Sequence, residues 1–137
     1  AQATRAEPEA QWAGGGRVLL VEDEDMVRAV AERALTRAGY TVTSAADGDE
    51  GLAYVEQGAR FDIVLTDVVM PGMDGPAMAR AIRARHPRLP LLFMSGYAEE
   101  QLRKQIDIAG GVHFLPKPFS VQQIGDKVGA VLAAAKG

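Results

Sequence analysis

Five short apolar runs punctuate the chain, and each is followed by a stretch whose apolar residues recur at helical spacing. Val18-Leu19-Leu20-Val21 anchors a strand over 17–21, and further strands are predicted over 40–45, 61–66, 91–94 and 112–115. The third of them, Phe61-Asp62-Ile63-Val64-Leu65-Thr66, leads directly into Asp67. Asp25 is placed to cap a helix running to about Ala38, with Val27, Val30, Ala31, Ala34, Leu35 and Ala38 on one buried face and Gly39 as its stop. Asp47-Gly48 begins a second helix, to about Gln57. Gly75 or Pro76 opens a third, whose exit Pro87 and Pro90 bracket. A fourth is predicted from Ala98 to about Ala109, stopped by Gly110-Gly111, and Ser120 caps a fifth, to about Ala135.

Strict strand–helix alternation implies a parallel sheet with helices on both faces. The near-continuous Val, Leu and Ile runs suit strands buried on both sides. The expected fold is therefore α/β, a flavodoxin-like (βα)5 three-layer sandwich with strand order 2-1-3-4-5. Residues 1–16 break the pattern. They mix Ala, Glu, Gln and Pro, end in Gly14-Gly15-Gly16, and read as a flexible linker before a domain over 17–137. Trp12 within the linker is given no function. The glycine run is a hinge and not a phosphate loop, because no Gly-Lys-Ser/Thr follows.

Composition removes several function classes. The chain has 137 residues, enough for one domain with a full core. It has no cysteine, which excludes disulfides, thiolate catalysis and cysteine-ligated metals. A net charge of -3 argues against non-specific nucleic-acid binding. No stretch approaches membrane-spanning length, and the polar start is not a signal peptide, so a cytoplasmic setting and no membrane contact by this domain are expected.

Parallel strands bring their C-terminal ends to one edge of the sheet, the edge where open α/β sheets bind ligands. Glu22, Asp23, Asp67, Ser95 and Lys117 all come at or just after such ends. With strands 1 and 3 adjacent, the acidic pair faces Asp67. Three carboxylates in one cleft repel unless a cation joins them, and oxygen-only ligands suit Mg²⁺. A carboxylate beside Mg²⁺ can attack phosphorus and form an aspartyl-phosphate. The transferred group then needs its equatorial oxygens neutralised, which Lys117 and the Ser95 hydroxyl can assist.

Read together, Leu20-Val21-Glu22-Asp23, Asp67, Met70-Pro71-Gly72-Met73-Asp74-Gly75, Ser95-Gly96-Tyr97-Ala98 and Pro116-Lys117-Pro118-Phe119 resemble a response-regulator receiver domain of two-component signalling. The resemblance covers roughly Arg17 to the C-terminus. The wording around Phe93 and Phe114 is similar to receivers at the C-terminus of hybrid histidine kinases. The resemblance implies Asp67 as phosphoacceptor. It implies Mg²⁺ on Asp23, Asp67 and the Val69 carbonyl, with Glu22 acting through water. Ser95 would bond the phosphoryl group, Lys117 would pair with it, the Lys117–Pro118 bond would be cis, and Phe114 would follow Ser95.

The implied partner is a histidine on kinase dimerisation helices or on a phosphotransfer protein. The domain itself is expected to be a monomer that catalyses its own phosphorylation and dephosphorylation and is not a turnover enzyme. Met26 and Ala29, outward on the first helix near the acidic pair, suit docking of the histidine-bearing helices. The absence of an output domain after Gly137 leaves a stand-alone regulator or the receiver of a hybrid kinase, and the linker favours the latter.

Several positions depart from the family's commonest pattern. Glu22 stands where Asp is usual, Ser95 for Thr and Phe114 for Tyr, while bulky Val69 and Tyr97 occupy positions that flank the phosphoryl site in the family. Rival readings are weaker. A phosphatase or mutase with an aspartate nucleophile wants a second Asp where Val69 stands. A flavin-binding relative wants a Ser/Thr/Gly-rich loop after the first strand. A receiver-like interaction module that works without phosphorylation is opposed by the intact set of acids, Ser95 and Lys117. His86 and His113 lie at a helix exit and in a strand, not on a bundle face, and are not read as relay histidines.

Overall fold

In the computed structural model, which describes residues 15–96, 99–108 and 110–136, five parallel strands form one sheet in the order β2-β1-β3-β4-β5. The strands are β1 (Arg17–Val21), β2 (Thr41–Ala45), β3 (Ile63–Asp67), β4 (Leu91–Ser95) and β5 (Val112–Pro116). The helices are α1 (Asp25–Arg37), α2 (Gly48–Glu56), α3 (Gly75–Arg85), α4 (Glu99–Gln105) and α5 (Val121–Lys136). This is the flavodoxin-like arrangement expected from the alternation. Register pairs Val21 with Thr66, Asp67 with Met94 and Ser95 with Pro116, so the strand ends named above share one edge.

Alternate strand residues feed two cores. Leu19, Val21, Val64, Leu91 and Phe93 pack with Val55 of α2, with Met78, Ala79 and Ile82 of α3, and with Leu102 of α4. Val18, Leu20, Ile63, Leu65, Leu92 and Met94 pack with Ala31, Ala34 and Leu35 of α1 and with Ile124, Val128, Val131 and Leu132 of α5. Three helices thus cover one face and two the other. No described helix is long and apolar enough to cross a membrane.

The element boundaries follow from local chemistry. Gly39, at φ +101°, ends α1 in a Schellman motif: its N–H donates to the Thr36 carbonyl and the Tyr40 N–H to that of Leu35. Asp47 and Asp74 cap α2 and α3 by accepting from the Glu50 and Ala77 N–H groups, each at 2.8 Å. Ser120 and Gln123 close a capping box on α5, side chain to backbone in both directions at 3.0 and 2.7 Å.

Some expectations are corrected. Asp25 is the first residue of α1 and not its cap, a position held by Glu24 with no side-chain bond. Val30 and Ala38 are exposed and Val27 only half-buried, so the buried stripe of α1 narrows to Ala31, Ala34 and Leu35. Strand β3 begins at Ile63, since Asp62 turns outward to accept from the Arg17 N–H at 2.8 Å. Helix α4 ends at Gln105, well short of Ala109. The sequence there reads Ile106-Asp107-Ile108, and this alternation lays both isoleucines against the core in non-helical chain with Asp107 outside. Trp12 and most of the linker, with Tyr97, Ala98 and Ala109, lie outside the described residues.

Candidate functional site

Glu22 follows the last residue of β1, Asp67 is the last of β3, Ser95 the last of β4, and Lys117 follows β5. The sheet therefore delivers all four to one rim. Asp23 completes the group: Glu22, Asp23 and Asp67 each place one carboxylate oxygen so that the three lie within 4.8 Å of one another.

Glu22 is fully buried (0 % exposed) and is satisfied on both oxygens. The Glu24 N–H donates to Oε2 at 3.1 Å, and Lys117 Nζ donates to Oε1 at 3.1 Å. Arg28 donates to the Glu22 carbonyl at 2.8 Å, which ties the first turn of α1 to the end of β1. Asp67, also buried, accepts from the Val68 N–H on Oδ1 at 2.9 Å and faces Lys117 Nζ with Oδ2 at 3.3 Å. One ammonium thus bridges two carboxylates. Thr66, buried behind them, donates its hydroxyl to the Asp67 carbonyl at 2.9 Å.

Burial raises the pKa of Glu22 above the ordinary carboxylate value, and the nearby Asp67 charge adds to it, against lowering by the Glu24 N–H and Lys117. Burial likewise raises that of Asp67, and Asp23 adds to it, although Lys117 and the Val68 N–H oppose the shift. Lys117 has the converse balance: burial pulls it down, but the bond to Glu22 and the charges of Asp67 and Glu22 outweigh burial and raise it. Three carboxylates against one ammonium leave two uncompensated negative charges in a partly dry cleft. A divalent cation with oxygen ligands matches that excess in charge and in donor type.

The remaining predicted positions are distributed around this centre. Ser95 is buried, and its carbonyl accepts from the Lys117 N–H at 2.8 Å, so the β4 and β5 ends are clasped together. The Lys117–Pro118 peptide is cis. Val69 exposes its side chain (63 %) two residues beyond Asp67. Phe114 is buried on β5, stacked on Phe93 with ring centroids 6.1 Å apart, and the Arg103 guanidinium of α4 lies 4.8 Å over its ring. His86 and His113 lie at the end of α3 and within β5, and neither joins the acidic cluster.

Sequence reasoning gave no site role of their own to Thr66, Arg28 or Gly75, the last appearing only as a helix start and within the Met70–Gly75 motif. Gly75 opens α3 with its Cα against the backbone carbonyl of Asp67, so a Cβ there would collide with that oxygen. Its N–H donates to the Val68 carbonyl at 2.9 Å. The signal available was the Asp74-Gly75-Pro76 triplet, which marks a capped helix start but not the approach to Asp67.

A family model described as the response regulator receiver domain matches residues 18–129. Sensor kinase CckA of Brucella abortus (strain 2308) is 44% identical over 133 residues, which is 96% of this chain but only 14% of that protein. Response regulator receiver protein CpdR of the same organism is 34% identical over 119 residues, 87% of this chain and 98% of CpdR. The crystal structure of the receiver domain from hybrid histidine kinase CckA superposes with a TM-score of 0.74 at 42% identity, covering 85% of this chain and 99% of that one.

Proposed function

The chain belongs to the response regulator receiver domain family, and from that premise we propose that it is a switch or relay that carries a phosphoryl group on Asp67. The donor is a histidine on the dimerisation helices of a histidine kinase or on a phosphotransfer protein. The observation that carries the reading is the juxtaposition of a buried strand-end carboxylate, Asp67, with Lys117 Nζ at 3.3 Å and with the acidic pair Glu22 and Asp23.

In the proposed step an Asp67 carboxylate oxygen attacks phosphorus. A P–O bond forms, the P–N bond to the donor imidazole breaks, and the nitrogen keeps the electron pair. Lys117, already within reach of Asp67 Oδ2, balances charge on the transferred oxygens. The Ser95 hydroxyl, on the adjacent strand end, donates to one of them. Glu22 holds Lys117 in place from behind through the 3.1 Å bond. Glu22, Asp23, Asp67 and the Val69 carbonyl would hold Mg²⁺. When bound, the ion supplies neutralisation of the carboxylates and of the phosphoryl oxygens. Phe114 of β5 lies under the Arg103 guanidinium of α4 and against Phe93 of β4, so a rearrangement at Ser95, the end of β4, has an element on which to act.

The donor is proposed to dock across the cleft of about 520 Å³ lined by Met26, Val27, Val30, Lys117, Pro118 and Phe119. Met26 (82 % exposed) and Val30 (49 %) form an apolar lip beside the site, suited to a helical partner. The 44% identity with CckA supports a place within a hybrid histidine kinase, with residues 17–137 as the working unit behind a tether over 1–16.

Incubation with acetyl phosphate and Mg²⁺ should add one phosphoryl group by intact mass, and Asp67→Asn should remove it. Undiminished labelling of Asp67→Asn would overturn the assignment.

A further inference from the structure

At the opposite edge of the sheet, where the strands begin, the ends of α2 and α3 and the loops after them enclose a cleft of about 460 Å³. That volume lies in the range of small-molecule sites, roughly 300–1,000 Å³. Val55, Phe61 and Leu89 line its apolar part, and Arg60, Arg85 and Arg88 stand around it with His86. The three arginines are exposed, and no ion pair holds any of them among the described residues. Asp62, the carboxylate in the lining, already accepts the Arg17 N–H.

In a chain of net charge -3, three guanidiniums gathered on one apolar cleft reverse the overall sign locally. The dipole of α3 accounts for Arg85, which lies in its last turn, but not for Arg60 and Arg88, which lie in loops. Nor do these arginines brace the backbone. Arg83 does that work, donating to the Leu89 carbonyl at 2.7 Å and the Gly110 carbonyl at 2.6 Å, and so fixes the wall of the cleft.

We propose that this cleft is a ligand site for a nucleotide, its aromatic ring laid on Phe61 and Leu89 and its phosphate held by the arginine forks. Guanidinium stays charged throughout the working pH range and matches phosphate oxygens in pairs. An apolar floor beside that rim selects an anion with a flat apolar face over a bare anion.

The test uses the whole chain, ¹⁵N-labelled, titrated separately with AMP, adenosine, inorganic phosphate and a poly-glutamate peptide. AMP should move the amides of 59–62 and 85–89 with Kd below about 1 mM, with adenosine and phosphate each weaker by roughly tenfold or more. The double variant Arg60→Gln/Arg88→Gln should weaken AMP by about tenfold while leaving the Mg²⁺ titration at the far edge unchanged. Three results would overturn the proposal: no movement at these amides with AMP at several millimolar, AMP binding undiminished in the double variant, or phosphate alone matching AMP. Tighter binding of the poly-glutamate peptide than of AMP would also overturn it, making the cleft a protein-docking site.

Discussion

Glu22 has no exposed surface, and its side chain is one methylene longer than that of Asp. The extra methylene lets one oxygen take the Glu24 N–H while the other reaches Lys117. Burial raises both Glu22 and Asp67, with the Asp67 charge adding to the first shift and the Asp23 charge to the second, so their charged forms are disfavoured in the folded state. The sign follows from linkage. A carboxylate with a raised folded pKa contributes stability that is fully present below its unfolded value and lost as pH rises through its folded value. Without divalent cations, Asp67→Asn should therefore be more stable than the parent at neutral pH, by on the order of 1 kcal/mol or about 3 °C in Tm. The gain should vanish as pH falls below the ordinary carboxylate range, and excess Mg²⁺ should reverse it by binding the folded parent. Paired thermal melts at low and neutral pH, with and without Mg²⁺, check all three statements.

At the scale of elements, Gly75 is the most consequential single position outside the cluster. Its α3 terminus packs onto the Asp67 carbonyl, so Gly75→Ala must push helix and strand end apart. We expect a loss of roughly 2 kcal/mol, as for overpacked cores, and a fall in the rate of acetyl-phosphate labelling, since Asp67 moves with its own carbonyl. Labelling and denaturant melts on the same variant check both. The outward lip of α1 makes a different prediction. Met26→Glu should slow transfer from the cognate histidine protein and leave acetyl-phosphate labelling intact, because the residues proposed to carry the group transfer lie off the helix. Equal loss with both donors would place Met26 in the site itself.

These elements also mark what could be read from the chain beforehand. The acids, Ser95 and Lys117 were legible because each closes or directly follows a strand, and parallel strands end together. The length of α4 was not, because Ile106 and Ile108 satisfy the core in non-helical chain, and Gly110-Gly111 suggested a later stop. Val30 and Ala38 fit the helical period, but their exposure depends on how far α1 and α5 cover the sheet. The part of Gly75 was hidden because the carbonyl it meets comes from a different element.

At the scale of the molecule, the sheet sorts chemistry to its two edges, acids where strands end and arginines where they begin. Between them runs β3, the central strand, buried at all five residues and paired on both sides to β1 and β4. Edge strand β2 is exposed at its first residue and half-covered at the next three. Amide hydrogen exchange should reflect this: protons of Val64, Leu65 and Thr66 should persist to the limit of global unfolding, while those of β2 and α4 exchange through smaller openings. Fluctuations that free α4 or fray β2 leave the carboxylate-bearing strand in place. Asp67 is released only by dissolving the sheet, so in the role proposed for it the lifetime of its phosphoryl group should not follow the opening of α4 or β2.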